Sequence, residues 1–112
     1  MKTLYYIKQQ PHSLITFHCP KNLAEVKVED YAYVWYGFVE EDIENASNYD
    51  EVVWLESLFQ KFNIDHPKHF AGHSLSVGDI VTFCDYDEER GRYNSRSYIC
   101  DSFGWKRLPE KV

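Results

Sequence analysis

Three histidines lie close together in the middle of the chain, at His66, His69 and His73. On one unbroken helix, spacings of three and four residues would place their imidazoles on a single face, as in helical zinc sites. Pro67 and Gly72 interrupt this segment, and the strict spacing of known zinc motifs is missing. One hypothesis is therefore a small metal- or histidine-dependent enzyme. The alternative, in which the imidazoles cap and stabilise turns, predicts no bound metal and no cofactor.

The same segment contains the residue types of a hydrolase triad in His73, Ser74, Ser76 and Asp79. A triad requires a geometry that adjacency in sequence does not provide, and neither serine lies in a GxSxG nucleophile elbow. We favour a turn, in which a serine hydroxyl bonds turn backbone and Asp79 orders the backbone N–H groups. In this interpretation His73 is a buried contact between helix and sheet.

The three cysteines, Cys19, Cys84 and Cys100, are widely spaced and match neither a zinc motif nor a disulfide framework. Cys100 precedes Asp101, but it lies in a predicted strand, where a thiol is typically a small core side chain rather than a nucleophile. Reduced cysteines, the lack of a signal-like apolar run and the lack of any run long enough to span a bilayer predict a soluble cytoplasmic protein.

Length and composition favour one folded domain over residues 1–112, because 44% of the residues are hydrophobic, which excludes disorder. The aromatic fraction of 17% exceeds what a core of this size needs, and surplus tyrosine and tryptophan are typical of interfaces. The net charge of −6 argues against direct nucleic-acid binding, which needs a basic surface.

Acidic residues are concentrated between residues 38 and 60, where there is no lysine or arginine. Seven carboxylates lie in this run: Glu40, Glu41, Asp42, Glu44, Asp50, Glu51 and Glu56. One hypothesis is an acidic anti-defence inhibitor that mimics DNA phosphates and blocks a DNA-acting system. The alternative is a solvated connector followed by the outer face of a helix.

The first half of the chain predicts strands. Residues 3–8 form one, residues 14–18 a second short one, and residues 20–25 a helical turn. Residues 31–40 (YAYVWYGFVE) carry bulky side chains at both parities, which predicts a central strand covered on both faces. Gly37 within it indicates a bulge or a close backbone approach.

A helix is predicted over residues 50–62. Asn48 and Glu51 have the spacing of a capping box, and Pro67 ends the helix near Asn63. Apolar residues recur at helical spacing and form one face: Val52, Leu55, Leu58, Phe59 and Phe62.

The second half predicts a sheet. After a brief helical turn over residues 67–72, Val77-Gly78-Asp79 should form a tight turn that opens a strand over residues 80–84. A charged hairpin loop over residues 85–92, with Gly91 at positive φ, precedes strands over residues 98–101 and 105–108. We therefore expect an α+β fold, a small mixed or antiparallel sheet with one principal helix on one face. A partly open SH3-like or PUA-like barrel is the alternative.

Three motifs carry a family resemblance: FNIDHP at residues 62–67, GHSLSV at 72–77 and DSFG at 101–104. With them the chain resembles the YodL-like family, most closely over residues 59–108 and more loosely from the first strand. Gly78 and Cys100 depart from the family pattern without disturbing the fold. The resemblance implies a small bacterial domain of a kind often carried by conjugative and other mobile elements, with no established general activity.

The resemblance also marks a set of polar residues, which form either a network at the helix-to-sheet junction or a binding site. With Trp105 they give a candidate binding surface on the loop over residues 65–79 and the adjoining residues 101–105: Asp65, His66, His73, Ser74, Ser76, Asp79, Asp101 and Ser102. Taken together, the sequence predicts a non-enzymatic protein-interaction module of a bacterial mobile element. Its partner is a protein of unknown identity, and we expect neither nucleic acid nor membrane as a partner.

Overall fold

The computed structural model describes residues 3–10, 23, 26, 29, 31–64, 75–101 and 104–109. Within them, five strands form one antiparallel sheet in the order β2-β1-β3-β4-β5. The strands are β1 (Leu4–Gln9), β2 (Ala32–Phe38), β3 (Ile80–Asp87), β4 (Arg92–Asp101) and β5 (Gly104–Arg107). The sheet is open, with β2 and β5 at its edges, so the predicted α+β class is confirmed and the barrel alternative is wrong.

The principal helix, α2, spans Glu51–Ile64 and confirms the helix predicted over residues 50–62. Its first turn is capped by Asp50, whose Oδ1 accepts the Val53 N–H at 3.1 Å. The predicted capping box is wrong, because Asn48 ends a separate 3₁₀ turn (Ala46–Asn48). Between β2 and this turn lies a short helix, α1 (Val39–Asp42), which takes up the end of the predicted strand and the start of the polar segment after it.

The main core lies between α2 and one face of the sheet, here called the inner face. Leu55, Leu58 and Phe62 of α2 are fully buried against sheet residues that include Tyr5 and Phe83. Phe59 is partly buried beside them, so four of the five predicted face residues pack as expected.

Val52 was predicted on this buried face but is 61% exposed. The buried stripe instead starts one residue earlier, since Glu51, Leu55, Leu58 and Phe62 follow one another at spacings of four, three and four. Trp54 packs beside the stripe, with its ring centroid 5.5 Å from that of Phe83.

The prediction of a central strand over residues 31–40 is wrong, because β2 is an edge strand that ends at Phe38. Its register against β1 shifts between Ile7 and Lys8, so that Val34 is an extra residue in a β-bulge. The bulge reverses the side-chain alternation, and Trp35 faces the inner core while Tyr33 faces the opposite side. The large side chains at both odd and even positions of this strand therefore reflect a bulge and exposed tyrosines, not burial on both faces.

The opposite side of the sheet, here called the outer face, is covered at one end by a second core. Ile80 and Ile99 are fully buried there with Val26 and Leu108. The predicted turn at residues 77–79 is confirmed next to this cluster, with Gly78 at a φ of 96°.

The hairpin between β3 and β4 is tighter than predicted. β3 continues to Asp87 and β4 starts at Arg92, so the turn covers only residues 88–91, with Gly91 at a φ of 63°. The longer strands are stabilised by cross-strand pairs, such as Tyr86 with Tyr93.

The predicted strand at residues 14–18 lies outside the described residues. The predicted helical turn at residues 67–72 also lies outside them, and so does the one at residues 20–25 except for residue 23. Among the described residues, no helix combines the length and apolar character needed to cross a membrane.

The two candidate caps of α2 make different predictions for stability. Asp50→Ala should lower the free energy of unfolding by about 1 kcal/mol, because the Val53 N–H loses its partner. Asn48→Ala, at an exposed position outside the helix, should change it by less than about 0.5 kcal/mol. Urea denaturation of both variants measures this, and a larger loss for Asn48→Ala would contradict the assignment of the cap.

Candidate functional site

The turn before β3 engages two of the predicted site residues. The Asp79 N–H donates to the Ser76 carbonyl at 3.1 Å and closes the turn. The Asp79 carboxylate is buried, and its Oδ2 accepts the Ser76 N–H at 2.8 Å and the Gln9 Nε2–H at 3.0 Å. The predicted role of Asp79 in ordering turn N–H groups is thus confirmed.

Backbone hydrogen bonds also join this turn to the end of β4. The Gly78 N–H donates to the Cys100 carbonyl, and the Cys100 N–H donates to the Asp79 carbonyl, both at 2.9 Å. Asp101 follows and forms an ion pair with Lys106 at 3.1 Å. The backbone bonds therefore hold residues 78 and 79 beside residue 100, and the ion pair joins β4 to β5.

Trp105 packs inward, with its ring centroid 6.4 Å from that of Phe59 in an edge-to-face contact. It contributes to the margin of the main core. The other predicted site residues lie outside the described residues: Asp65, His66, His73, Ser74 and Ser102. His69 lies there too, so the histidine-based hypothesis and the candidate binding surface stay predictions.

A partly buried ionic cluster joins α2 to the sheet. Arg96 donates through Nε to Glu51 and through Nη1 to Asp85 Oδ2, the latter at 2.7 Å. The Tyr98 hydroxyl donates to the other oxygen of Glu51. Burial works against the charge of Arg96, but the hydrogen bonds to both carboxylates outweigh it and raise the pKa of the guanidinium. Burial and the bond to Glu51 raise the pKa of Tyr98 to about 12.

A second polar cluster joins β1, β2 and α1. The buried Tyr5 hydroxyl donates to Asp42 and accepts the Trp35 Nε1–H at 3.0 Å. Lys61 of α2 pairs with Asp42 at 3.5 Å. Burial, reinforced by the bond to Asp42, raises the pKa of Tyr5 well above its usual range. The expected close backbone approach is present at Gly37, since a Cβ there would lie 2.6 Å from Asp42 Oδ2.

These clusters engage much of the acidic run. Besides Asp42, Asp50 and Glu51, the Glu40 carboxylate accepts the Thr3 N–H at 2.8 Å. Four of the seven carboxylates thus bond groups inside the domain. A DNA mimic needs its carboxylates exposed together, and this internal bonding reduces the support for that hypothesis.

Among the described residues, four of the five exposed aromatic side chains lie on the outer face, beyond the end that the second core covers. Tyr33, Tyr36, Tyr86 and Tyr93 are 65%, 72%, 45% and 70% exposed. With Tyr6 they form what we call the outer tyrosine surface. A depression of about 710 Å³ lies at its β2 side, lined by Tyr6, Tyr33, Val34, Trp35 and Tyr36.

Four of the five members of the outer tyrosine surface pack in two pairs on the same face of the sheet. Tyr6 and Tyr33 have ring centroids 5.5 Å apart, and Tyr86 and Tyr93 have centroids 5.0 Å apart. The strand register places both pairs on the outer face, since Tyr6 lies opposite Thr82, and Thr82 and Tyr86 share one face of β3. The surface therefore extends from β2 to β4.

Sequence reasoning noted the surplus of tyrosines but did not locate this surface. The missed signal is the alternation in β3, where Thr82, Cys84 and Tyr86 share one face opposite Phe83. Because the predicted strand stopped at residue 84, Tyr86 fell in a loop and its pairing with Tyr93 went unrecognised.

The ionic cluster predicts a specific loss of stability. Glu51→Gln should lower the free energy of unfolding by about 2 kcal/mol, because Arg96 and Tyr98 lose a charged acceptor in a buried setting. Glu56→Gln is the matched control, since Glu56 is exposed on the same helix, and it should have an effect within about 0.5 kcal/mol. Equal effects in urea denaturation would contradict a structural role for the cluster.

The raised pKa of Tyr98 predicts a loss of stability at high pH. In the unfolded chain this hydroxyl ionises near 10, and in the folded chain near 12. Its contribution is therefore fully present below pH 10 and is lost as the pH rises toward 12. Urea denaturation across this range should show a shallower decline for Tyr98→Phe than for the wild type. The same decline of the free energy of unfolding with pH in both proteins would show that Tyr98 does not contribute to it.

Comparison with known proteins agrees with the motif resemblance. No curated protein and no solved structure matches the chain. The family model for the YodL-like domain matches residues 2–110, nearly the whole chain, and so includes every strand and helix described above. The chain therefore belongs to the YodL-like family.

Proposed function

We propose that this YodL-like domain is a non-enzymatic protein-interaction module of a bacterial mobile element, and that its binding surface is the outer tyrosine surface. The observation that carries the proposal is the exposure of four tyrosines on one face of the sheet, beside a depression of about 710 Å³. Tyrosine is enriched at protein interfaces because its ring gives a large apolar contact while its hydroxyl stays hydrogen-bonded.

The positions of the tyrosine rings favour binding. Tyr33 packs edge-to-face on Tyr6, and the Lys8 ammonium lies 4.2 Å from the centroid of its ring. Tyr86 and Tyr93 restrain each other through their own contact. Because side chains held in place lose little entropy on association, a larger part of the contact energy remains for affinity.

The interior polar groups support a role without catalysis. The carboxylates of Glu51, Asp42 and Asp79 each accept hydrogen bonds from within the domain, and Arg96 is bonded to two carboxylates. Groups held in such bonds stabilise the packing of the sheet with α2 and the loops, which is a structural task.

Family membership and the cysteines support the proposed setting. The resemblance implies a kind of domain that is often carried by conjugative and other mobile elements, so we propose a component of such an element as the partner. Cys84 and Cys100 are buried free thiols, consistent with the reducing environment of the cytoplasm.

The proposal predicts which variants lose the partner. A Tyr33→Ser, Tyr93→Ser double variant should fail to capture from host extract a protein that the wild type captures. With that protein purified, its affinity should fall at least about tenfold, because two exposed aromatic contacts are removed.

Tyr49→Ser is the matched control, because Tyr49 is also exposed but precedes α2 and lies off the outer face. It should bind the partner as the wild type does, and all three proteins should unfold at similar urea concentrations. Equal binding by the wild type and the double variant, or no partner captured, would contradict the proposal.

A further inference from the structure

The edge strand β2 has backbone groups directed away from the sheet. The Val39 N–H donates to the Thr3 carbonyl at 2.8 Å, so Thr3 and Val39 occupy a bonded position of the ladder, although the Thr3 N–H donates to the Glu40 carboxylate. In an antiparallel ladder bonded and non-bonded pairs alternate, so Gly37 and Trp35 also face β1. Tyr36, between them, directs its N–H and C=O to the other side. In the described part of the chain, β1 is the single strand neighbour of β2.

The two edges of the sheet differ in how they are protected. β5 has four residues, and two of them are the cations Lys106 and Arg107. β2 has seven residues, AYVWYGF, with no charge and no proline. Proteins usually protect an edge by shortening it or by placing charge or proline on it, and otherwise the edge can pair with another chain. The bulge at Val34 restricts the regular part of β2 to residues 35–38.

The surroundings of β2 indicate what would pair with it. The depression beside the strand is lined by aromatic and aliphatic side chains, so it suits a large apolar side chain of an added strand. Immediately after β2, Glu41 and Glu44 are exposed, and with Glu40, whose carboxylate also accepts the Thr3 N–H, they make the end of the strand acidic. An antiparallel partner begins its own strand at that end, where basic residues would be complementary in charge.

We propose that β2 accepts an extended segment of the partner protein as an additional antiparallel strand, in which basic residues precede alternating apolar ones. The inference rests on the proposed interaction function and specifies how the partner is recognised. Backbone hydrogen bonds at Tyr36 would supply the pairing, and the depression would select the apolar side chain.

The test begins with a display library of random peptides long enough to span β2, selected on the full chain. The selected peptides should contain basic residues followed by alternating apolar residues. Tyr36→Pro should abolish their binding, because proline removes an N–H that makes no bond to β1. Tyr36→Ala, which keeps the N–H, should weaken binding by less than about tenfold.

A second measurement does not depend on how the proline variant folds. Two versions of a selected peptide are N-methylated, one at its odd positions and one at its even positions. One version should lose binding and the other should keep it, because an added strand bonds β2 through every second residue. An equal loss of binding for both methylated peptides, or a library selection that yields no peptide, would overturn the proposal.

The remaining outcomes separate this inference from the proposed function. If the captured partner needs Tyr33 and Tyr93 but binds Tyr36→Pro normally, strand addition is wrong and the interaction module stands. If Tyr36→Pro instead dissociates an oligomer of the chain in sedimentation, the strand is added by a second copy and the partner-peptide proposal is overturned.

Discussion

The packing of the domain depends on Glu51, which occupies a partly buried position at the start of a stripe of α2 that otherwise carries apolar residues. Its carboxylate faces β4 and accepts hydrogen bonds from Arg96 and Tyr98. The guanidinium of Arg96 is also 5.9 Å from the centroid of the Phe83 ring, under the start of the helix. An unpaired guanidinium at this depth would be costly, so the helix must dock with its first turn over β4. This contact fixes both the rotation of α2 and its position along the sheet.

Once α2 is placed, the charged groups of Glu51, Arg96 and Asp42 have partners, whereas the tyrosines of the outer face remain exposed. At the far side of the sheet the Tyr5 hydroxyl and Asp42 join β1 to α1, and Lys61 of α2 completes that contact. The turn before β3 is fixed by the buried Asp79. The outer tyrosine surface belongs to none of these contacts, which is why the proposed interaction is assigned to it.

The sequence predicted the helix from the spacing of its apolar residues, but it could not predict how α2 is rotated about its axis against the sheet. Glu51 was interpreted as a capping-box residue because it follows Asn48 by three positions, whereas its partner Arg96 is 45 residues away. The limits of β3 and β4 were missed for a similar reason, since the charged residues around the hairpin resemble a loop until Asp85 pairs with Arg96. Long-range ion pairs of this kind leave no periodic signal.

The edge position of β2 was not predictable from side-chain bulk, because a bulge with exposed tyrosines gives the same pattern as a strand buried on both faces. For the candidate site, the turn chemistry around Gly78 and Asp79 was predictable, since turns are determined by local sequence. The outer tyrosine surface was not, because tyrosine is common in both cores and interfaces.

Amide hydrogen exchange of the full chain, free and bound to its captured partner, tests the central claim most directly. If the outer face and the β2 edge bind, new protection should appear in β2 and in the β3–β4 hairpin around Tyr86 and Tyr93. Residues 75–79 and the amides around Trp105 should exchange as in the free chain. Protection confined to those two segments, with β2 unchanged, would contradict the account.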